Sequence, residues 1–400
     1  MRLAPRLLIS LTVLVLAAQA CSGAGPGSPL SSPSPSSPPP PSSATSASPP
    51  PTSCVDRAFA QLTEPQRVGQ LFIVGLANDR FGTDEATGVR NDHFGSVTFI
   101  QTTSVGTAGV RDVAEAAQRA ATSPATGRVG MFVAVNQEGG LIQALRGSGF
   151  DTIPPATEQG TLDPATLRAD ATAWGRQLVA AGVNMNFAPV LDVLPPGSDQ
   201  QNQPIGVLKR GYGHDPTTVA DHGLAFMKGM VRAHVAAVVK HFPGLGRVRG
   251  NTDFVANVVD SVTTANDPYL EPFRRAVEEG ARFVMVALAT YTRIDPSHLA
   301  VFSPTVMGIL RRSMGFDGVV VSDDMGAATA VANVPLAQRA VDFLQAGGDM
   351  VISKFVGPAE AMYTGVLDRT GSDTAFRQVV DQAALRVLRA KDAYGLLPCG

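Results

Sequence analysis

Three short polar runs each follow a stretch of apolar, β-branched residues. Asn136-Gln137-Glu138-Gly139-Gly140 follows residues 131–135, Lys240-His241-Phe242-Pro243-Gly244 follows 236–239, and Ser322-Asp323-Asp324-Met325 follows 318–321. Two carboxylates at the end of an apolar strand are costly to bury unless they are hydrogen-bonded or used. Asp323 and Asp324 therefore read as a nucleophile or metal ligand on one side, and as caps of the following helix on the other. Lys240 and His241 can grip hydroxyl groups if they point into a cleft, and read equally well as satisfied structural residues.

Chemistry at such positions needs elements to hold it. Eight short apolar runs recur along the chain, at 71–74, 96–100, 131–135, 183–190, 236–239, 283–288, 318–321 and 350–352. Between them lie stretches with helical spacing and cap signals, including 110–121, 163–181, 215–233, 268–279 and 303–313. Asp163-Pro164 and Asp215-Pro216 each set a capping residue before a proline at the first helical position. Strand and helix alternating eight times predict an α/β fold with a parallel sheet covered by helices, in its simplest form a single-domain (β/α)8 barrel. A doubly wound sheet has the same alternation, but the glycine fingerprint it favours after its first strand is missing. In a barrel, reactive groups stand at the C-terminal ends of strands, where all three polar runs fall.

Composition narrows the function classes. The 32 basic and 34 acidic residues balance to a net charge of −2, which argues against a nucleic-acid partner. No apolar run reaches the ~18–20 residues of a membrane span. His93, His214, His222, His234 and His298 are scattered without metal-ligand spacing, so no metal is expected, and chemistry done by a pair of carboxylates would need no cofactor. Trp174 lies in a helical stretch and reads as core, and Asp342 and Asp349 read as structural. Three cysteines exclude a disulfide-dense scaffold and a four-cysteine zinc site.

The first fifty residues read as address and tether. Arg2 and Arg6 precede an apolar run from 7 to 18, and Ala18-Gln19-Ala20-Cys21 follows, the pattern of a secretory signal over residues 1–20. Cys21 at the new N-terminus resembles the lipid-accepting cysteine of a bacterial lipobox, with Ala18 where Leu or Val is usual. Residues 21–53 are almost wholly Ser, Pro, Ala, Gly and Thr, a composition that stays extended. An exported, membrane-anchored protein facing the cell wall is the expectation. Cys54 and Cys399 then stand at opposite ends of the folded part, 54–400. In an oxidising compartment they suggest a bridge, two free thiols being the rival.

Taken together, the motifs resemble glycoside hydrolase family 3, specifically its single-domain β-N-acetylglucosaminidases and, given the leader, the lipoprotein members of actinobacteria. The likeness includes 186–193 (NFAPVLDV) and Arg210-Gly211-Tyr212-Gly213, and it spans 54–400. It implies that Asp323 is the nucleophile of a retaining glycosidase. Asn136, Arg210, Lys240 and His241 would bind the sugar, and Asp192 and Asp324 would support the site. N-acetylglucosamine-containing muropeptides are the implied substrates, acted on by a monomer.

Four positions, in three places, depart from that pattern. The family's acid/base histidine, in an Asp-Ser-His triplet, is replaced by Asp253 in Asn251-Thr252-Asp253, in a register fixed by 257–260 (NVVD). Asn136 replaces an aspartate, and Leu141 and Ala144 replace arginines. An aspartate starts near pKa ~3.9 and needs raising to act as an acid near neutrality. The Asp323 carboxylate would raise it, and Arg247 and Arg249 would oppose this if they come close. The alternatives are another β-glycoside specificity, transfer of the sugar to phosphate, or a muropeptide-binding lipoprotein without an acid/base.

Overall fold

The eight apolar runs become eight parallel strands that close into a barrel. The computed structural model describes residues 53–399. The signal segment, Cys21 and nearly all of the tether lie outside the described residues. The strands are β1 (Phe72–Leu76), β2 (Ser96–Phe99), β3 (Phe132–Val135), β4 (Met185–Asn186), β5 (Ala236–Phe242), β6 (Phe283–Val286), β7 (Val319–Asp324) and β8 (Met350–Ser353). Each pairs in parallel with its sequence neighbours, and β8 pairs with β1. The order around the barrel is thus the order in the chain, the arrangement of a (β/α)8 fold.

Parallel neighbours need long crossovers, and helices supply them. Gly106–Ala120, Pro164–Ala180, Pro216–Arg232 and Leu336–Ala346 are the longest of these between strands, and Val356–Ser372 follows the last strand. Asp163 accepts from the amides of Ala165 and Thr166, and Asp215 from that of Thr218, so both helices begin with their first free N–H groups satisfied. The stretch expected at 268–279 divides into a tight turn, Pro268–Leu270, and a helix, Glu271–Glu278. Trp174 is buried with its ring 6.2 Å from that of Phe226, and Asp349 is buried between Arg311 and Arg386. Ser53, at the end of the tether, caps the first helix, Cys54–Gln61.

The strand boundaries differ from the sequence expectation where the polar runs begin. The run at 183–190 yields only a two-residue strand. Beyond it the Asn186 side chain accepts from the Gln137 amide and donates to its carbonyl, and Pro189 has no N–H to donate. In contrast, β5 and β7 continue through their polar residues. Their pairing shifts register between Val239 and Phe242 and between Val321 and Asp324. Such irregularities turn side chains away from the strict in-and-out alternation. Lys240, His241 and Asp323 all sit within these two shifted stretches.

The opposite end of the barrel, where strands begin, is closed by the C-terminal helix Thr374–Asp392. Its Lys391 is fully buried and donates to Gln70 Oε1 (2.6 Å), just before β1, and to the Gly95 carbonyl (2.7 Å), just before β2. Cys54 and Cys399 are bonded, with Cα atoms 5.9 Å apart across 345 positions of sequence. They flank a small apolar cluster that includes Val55, Ala58, Val129 and Leu388.

Candidate active site

A cavity of about 440 Å³ opens at the C-terminal ends of the strands. Asn136, Arg210, Lys240, His241, Asp253 and Asp323 all line it. Six residues read from separate motifs, spread over nearly two hundred positions, are thereby brought to one place.

The cavity floor is a network of buried charge. Lys240, after the apolar part of β5, donates to Asn136 Oδ1 (2.7 Å) and lies 2.6 Å from Glu138 Oε1. Arg210 forms a two-pronged pair with the same carboxylate, both contacts at 2.8 Å, and donates its remaining terminal nitrogen to the Pro204 carbonyl. Burial alone would raise the Glu138 carboxyl, but Arg210 and Lys240 outweigh it and hold the group at about 2. Burial pushes the Lys240 ammonium down, against the pull of Glu138 and with the help of Arg210. A two-pronged guanidinium pair fixes direction as well as charge, so Glu138 is the pivot that orients both cations.

His241 is oriented from behind. Its Nδ1 lies 2.7 Å from Asp192 Oδ2, while Asp192 Oδ1 accepts from the amides of His241 and Leu245. The fully buried Asp192 therefore accepts a hydrogen bond from Nδ1–H, which leaves Nε2 as the acceptor facing Arg210 Nη2 at 3.4 Å. The motif at 136–140 needs glycine at Gly139, which has φ +113° and where a side chain would collide with the Pro154 carbonyl.

The cavity wall carries the carboxylates. Asp323 is half-buried and accepts from the Asp324 amide at 2.8 Å. Asp324 also lines the cavity but is buried, and its Oδ1 accepts from the amides of Gly326 and Lys354. Burial raises its carboxyl above the usual range, with Lys354 pulling the other way.

Asp253 comes from the long loop after β5. The base of that loop is fastened by Asn202, whose Nδ2 donates to the carbonyls of Leu245, Gly246 and Val248. Its tip docks on the segment after β7. Thr329 gives both its amide (3.1 Å) and its hydroxyl (3.0 Å) to the Asp253 carbonyl, and the Ala330 amide donates to Thr252. Neither arginine of the loop faces Asp253. Arg247 pairs with Asp267 at 2.7 Å and stacks over Tyr269, and Arg249 reaches Gln201.

The charge that does face Asp253 is Lys354, directly after β8. Its ammonium stands 3.4 Å from Asp253 Oδ1 and 3.5 Å from Asp324 Oδ2. Burial would lower it, but Asp253, Asp324 and Asp323 outweigh burial and raise it above the ordinary lysine range. Sequence reasoning missed Lys354 and left Glu138 without a role. A counter-ion for Lys240 and Arg210 was already spelled in the motif at 136–140, whereas Lys354 belongs to no motif and is marked only by its place after the last strand. Among the described residues, no cluster of His, Cys, Asp and Glu has the makings of a metal site.

A (β/α)8 barrel whose mouth presents separate carboxylates to one polar cavity fits the architecture of a glycoside hydrolase. Residues 57–390 match the glycosyl hydrolase family 3 N terminal domain, and the chain belongs to that family. It is 31% identical over 298 residues to the beta-hexosaminidase of Stenotrophomonas maltophilia (strain K279a), a match covering 70% of this chain and 82% of that one. The crystal structure of a beta-N-acetylhexosaminidase from Beutenbergia cavernae is similar at 45% identity with a TM-score of 0.81, covering 83% of this chain and 99% of that chain. M tuberculosis LpqI is similar at 28% identity and a TM-score of 0.70, covering 82% and 93%.

Proposed function

We propose that the chain is a β-N-acetylhexosaminidase that releases terminal β-linked N-acetylglucosamine with retention of configuration. The observation that carries this reading is the placement of Asp323 and Asp253, from different strands' ends, on one cavity floored by Arg210, Lys240 and His241. The similarity to hexosaminidases supports the choice of sugar.

In the first step an Asp323 oxygen attacks the anomeric carbon, and the bond to the leaving oxygen breaks as that oxygen takes the Asp253 proton. In the second, Asp253 takes a proton from water, the water oxygen bonds to the anomeric carbon, and Asp323 departs with its electron pair. Arg210, Lys240 and His241 hold the hydroxyls and acetamido group of the sugar, each already aimed by Glu138 or Asp192. Lys354 and the Thr329 contacts position Asp253. The finer setting rests on the leader: with Cys21 lipidated and residues 21–53 as a tether, the substrates are peptidoglycan-derived fragments at the cell wall.

Release of 4-nitrophenol from its β-N-acetylglucosaminide tests the reading. The purified chain is expected to turn the substrate over and Asp323→Ala to abolish turnover by several orders of magnitude. Equal rates for both proteins would reject it.

A further inference from the structure

The cavity changes character with depth. Its floor is charged and buried, while its lip carries two large apolar side chains left in solvent, Phe254 at 77% and Leu141 at 65% exposure. Phe254 is the most exposed large apolar side chain among the described residues. Leaving such a ring in water forgoes the stabilisation that burial would bring, and the ring is not on a free segment. The Phe254 amide donates to the Asn251 carbonyl (3.0 Å), and its neighbour Asp253 is tied to Thr329. Leu141 is likewise held out, at the tip of the hairpin formed by Gln137–Gly139 and Ile142–Gln143, where the Gly140 amide donates to Ile153.

We propose that Phe254 and Leu141 form the leaving-group subsite and select donors whose leaving group is itself a sugar ring. The proposal rests on the hexosaminidase reading above. With the anomeric carbon at Asp323 and the leaving oxygen within reach of Asp253, whatever that oxygen carries must extend toward the lip. Phe254 follows Asp253 directly in the chain and lines the same cavity. A β-linked pyranose with equatorial substituents presents axial C–H bonds on its faces, an apolar surface that an aromatic or branched aliphatic side chain covers well. The cation nearest to Asp253, Lys354, is already engaged by carboxylates. The two apolar side chains of the lip therefore offer a surface to the face of the ring.

Two donors test this: N,N′-diacetylchitobiose, and trifluoroethyl β-N-acetylglucosaminide, whose leaving alcohol resembles a sugar hydroxyl in acidity but has no ring. Both call equally on Asp253, so a disturbed acid/base slows both alike. In Phe254→Ala the ratio of kcat/KM for the disaccharide over the trifluoroethyl glycoside is expected to fall about tenfold. Leu141→Ala should lower it less, and Phe254→Tyr should restore it. An unchanged ratio in Phe254→Ala, whether both rates fall together or neither does, overturns the proposal. If the unsubstituted chain cleaves neither donor, the hexosaminidase reading fails first and the subsite falls with it.

Discussion

A lysine is buried at each end of the barrel, and the two are given different partners. At the mouth, Lys240 meets a carboxylate at 2.6 Å and an amide oxygen at 2.7 Å, beside an arginine that shares the same carboxylate. At the other end, Lys391 meets only the neutral oxygens of Gln70 and Gly95, with the Phe132 ring 5.8 Å away. Burial without a counter-ion lowers the Lys391 ammonium to about 7. The difference teaches what each end is for. In the proposed site, a cation that grips a substrate has to be aimed and given a counter-charge, which Glu138 supplies. A side chain that only closes the barrel needs its donors satisfied and can give up its proton.

The largest expected effect comes from breaking the mouth. Glu138→Gln leaves Lys240 and Arg210 buried without their carboxylate, and losing one partner of a buried ion pair costs about 3–5 kcal/mol. Denaturant unfolding should show a loss of that order, together with a collapse of turnover. The same carboxyl sets an acid limit. Its folded value of about 2 lies below the ordinary 4.5, so its stabilisation is present above pH 4.5 and is lost as pH falls through that window toward 2.

The barrel's other end sharpens the contrast with the opposite sign. Because Lys391 is lowered from 10.5 to about 7, the unfolded chain binds more protons than the folded one between these values. Stability should therefore rise with pH across that window. Lys391→Met should flatten the rise while leaving turnover near that of the unsubstituted chain; a profile unaltered by the substitution would contradict the assignment. A smaller effect is expected at Lys354, which lines the cavity and pairs with Asp253 and Asp324. Lys354→Met should lower kcat/KM for donors with poor leaving groups about tenfold, with little change for dinitrophenyl glycosides. Lys354→Arg should recover most of it, since a guanidinium can span the same two carboxylates.

Much of this arrangement was legible in the sequence because barrel topology is local. Eight β-branched runs separated by capped helices allow few other folds, and motifs at strand ends must converge on one mouth. That Asp323 and Lys240 stand at the mouth could be read from their place directly after apolar runs. Features that depend on contacts distant in sequence could not. The register shifts in β5 and β7 that turn Lys240 and Asp323 toward the cavity depend on pairing with β6 and β8. The docking of Asp253 depends on Thr329, some seventy residues further on. Lys354 acquires meaning only once β8 lies beside β7 and the loop after β5 folds over both.

Capture of the glycosyl-enzyme tests the central assignment most directly. Asp253→Ala, given a dinitrophenyl β-N-acetylglucosaminide, needs no acid for the first step but lacks the base for the second, so the intermediate should accumulate. Peptide mass spectrometry is then expected to find one N-acetylglucosaminyl group esterified to Asp323. Attachment to Asp324 or another residue, or steady turnover with no attached sugar, would contradict the two-carboxylate mechanism.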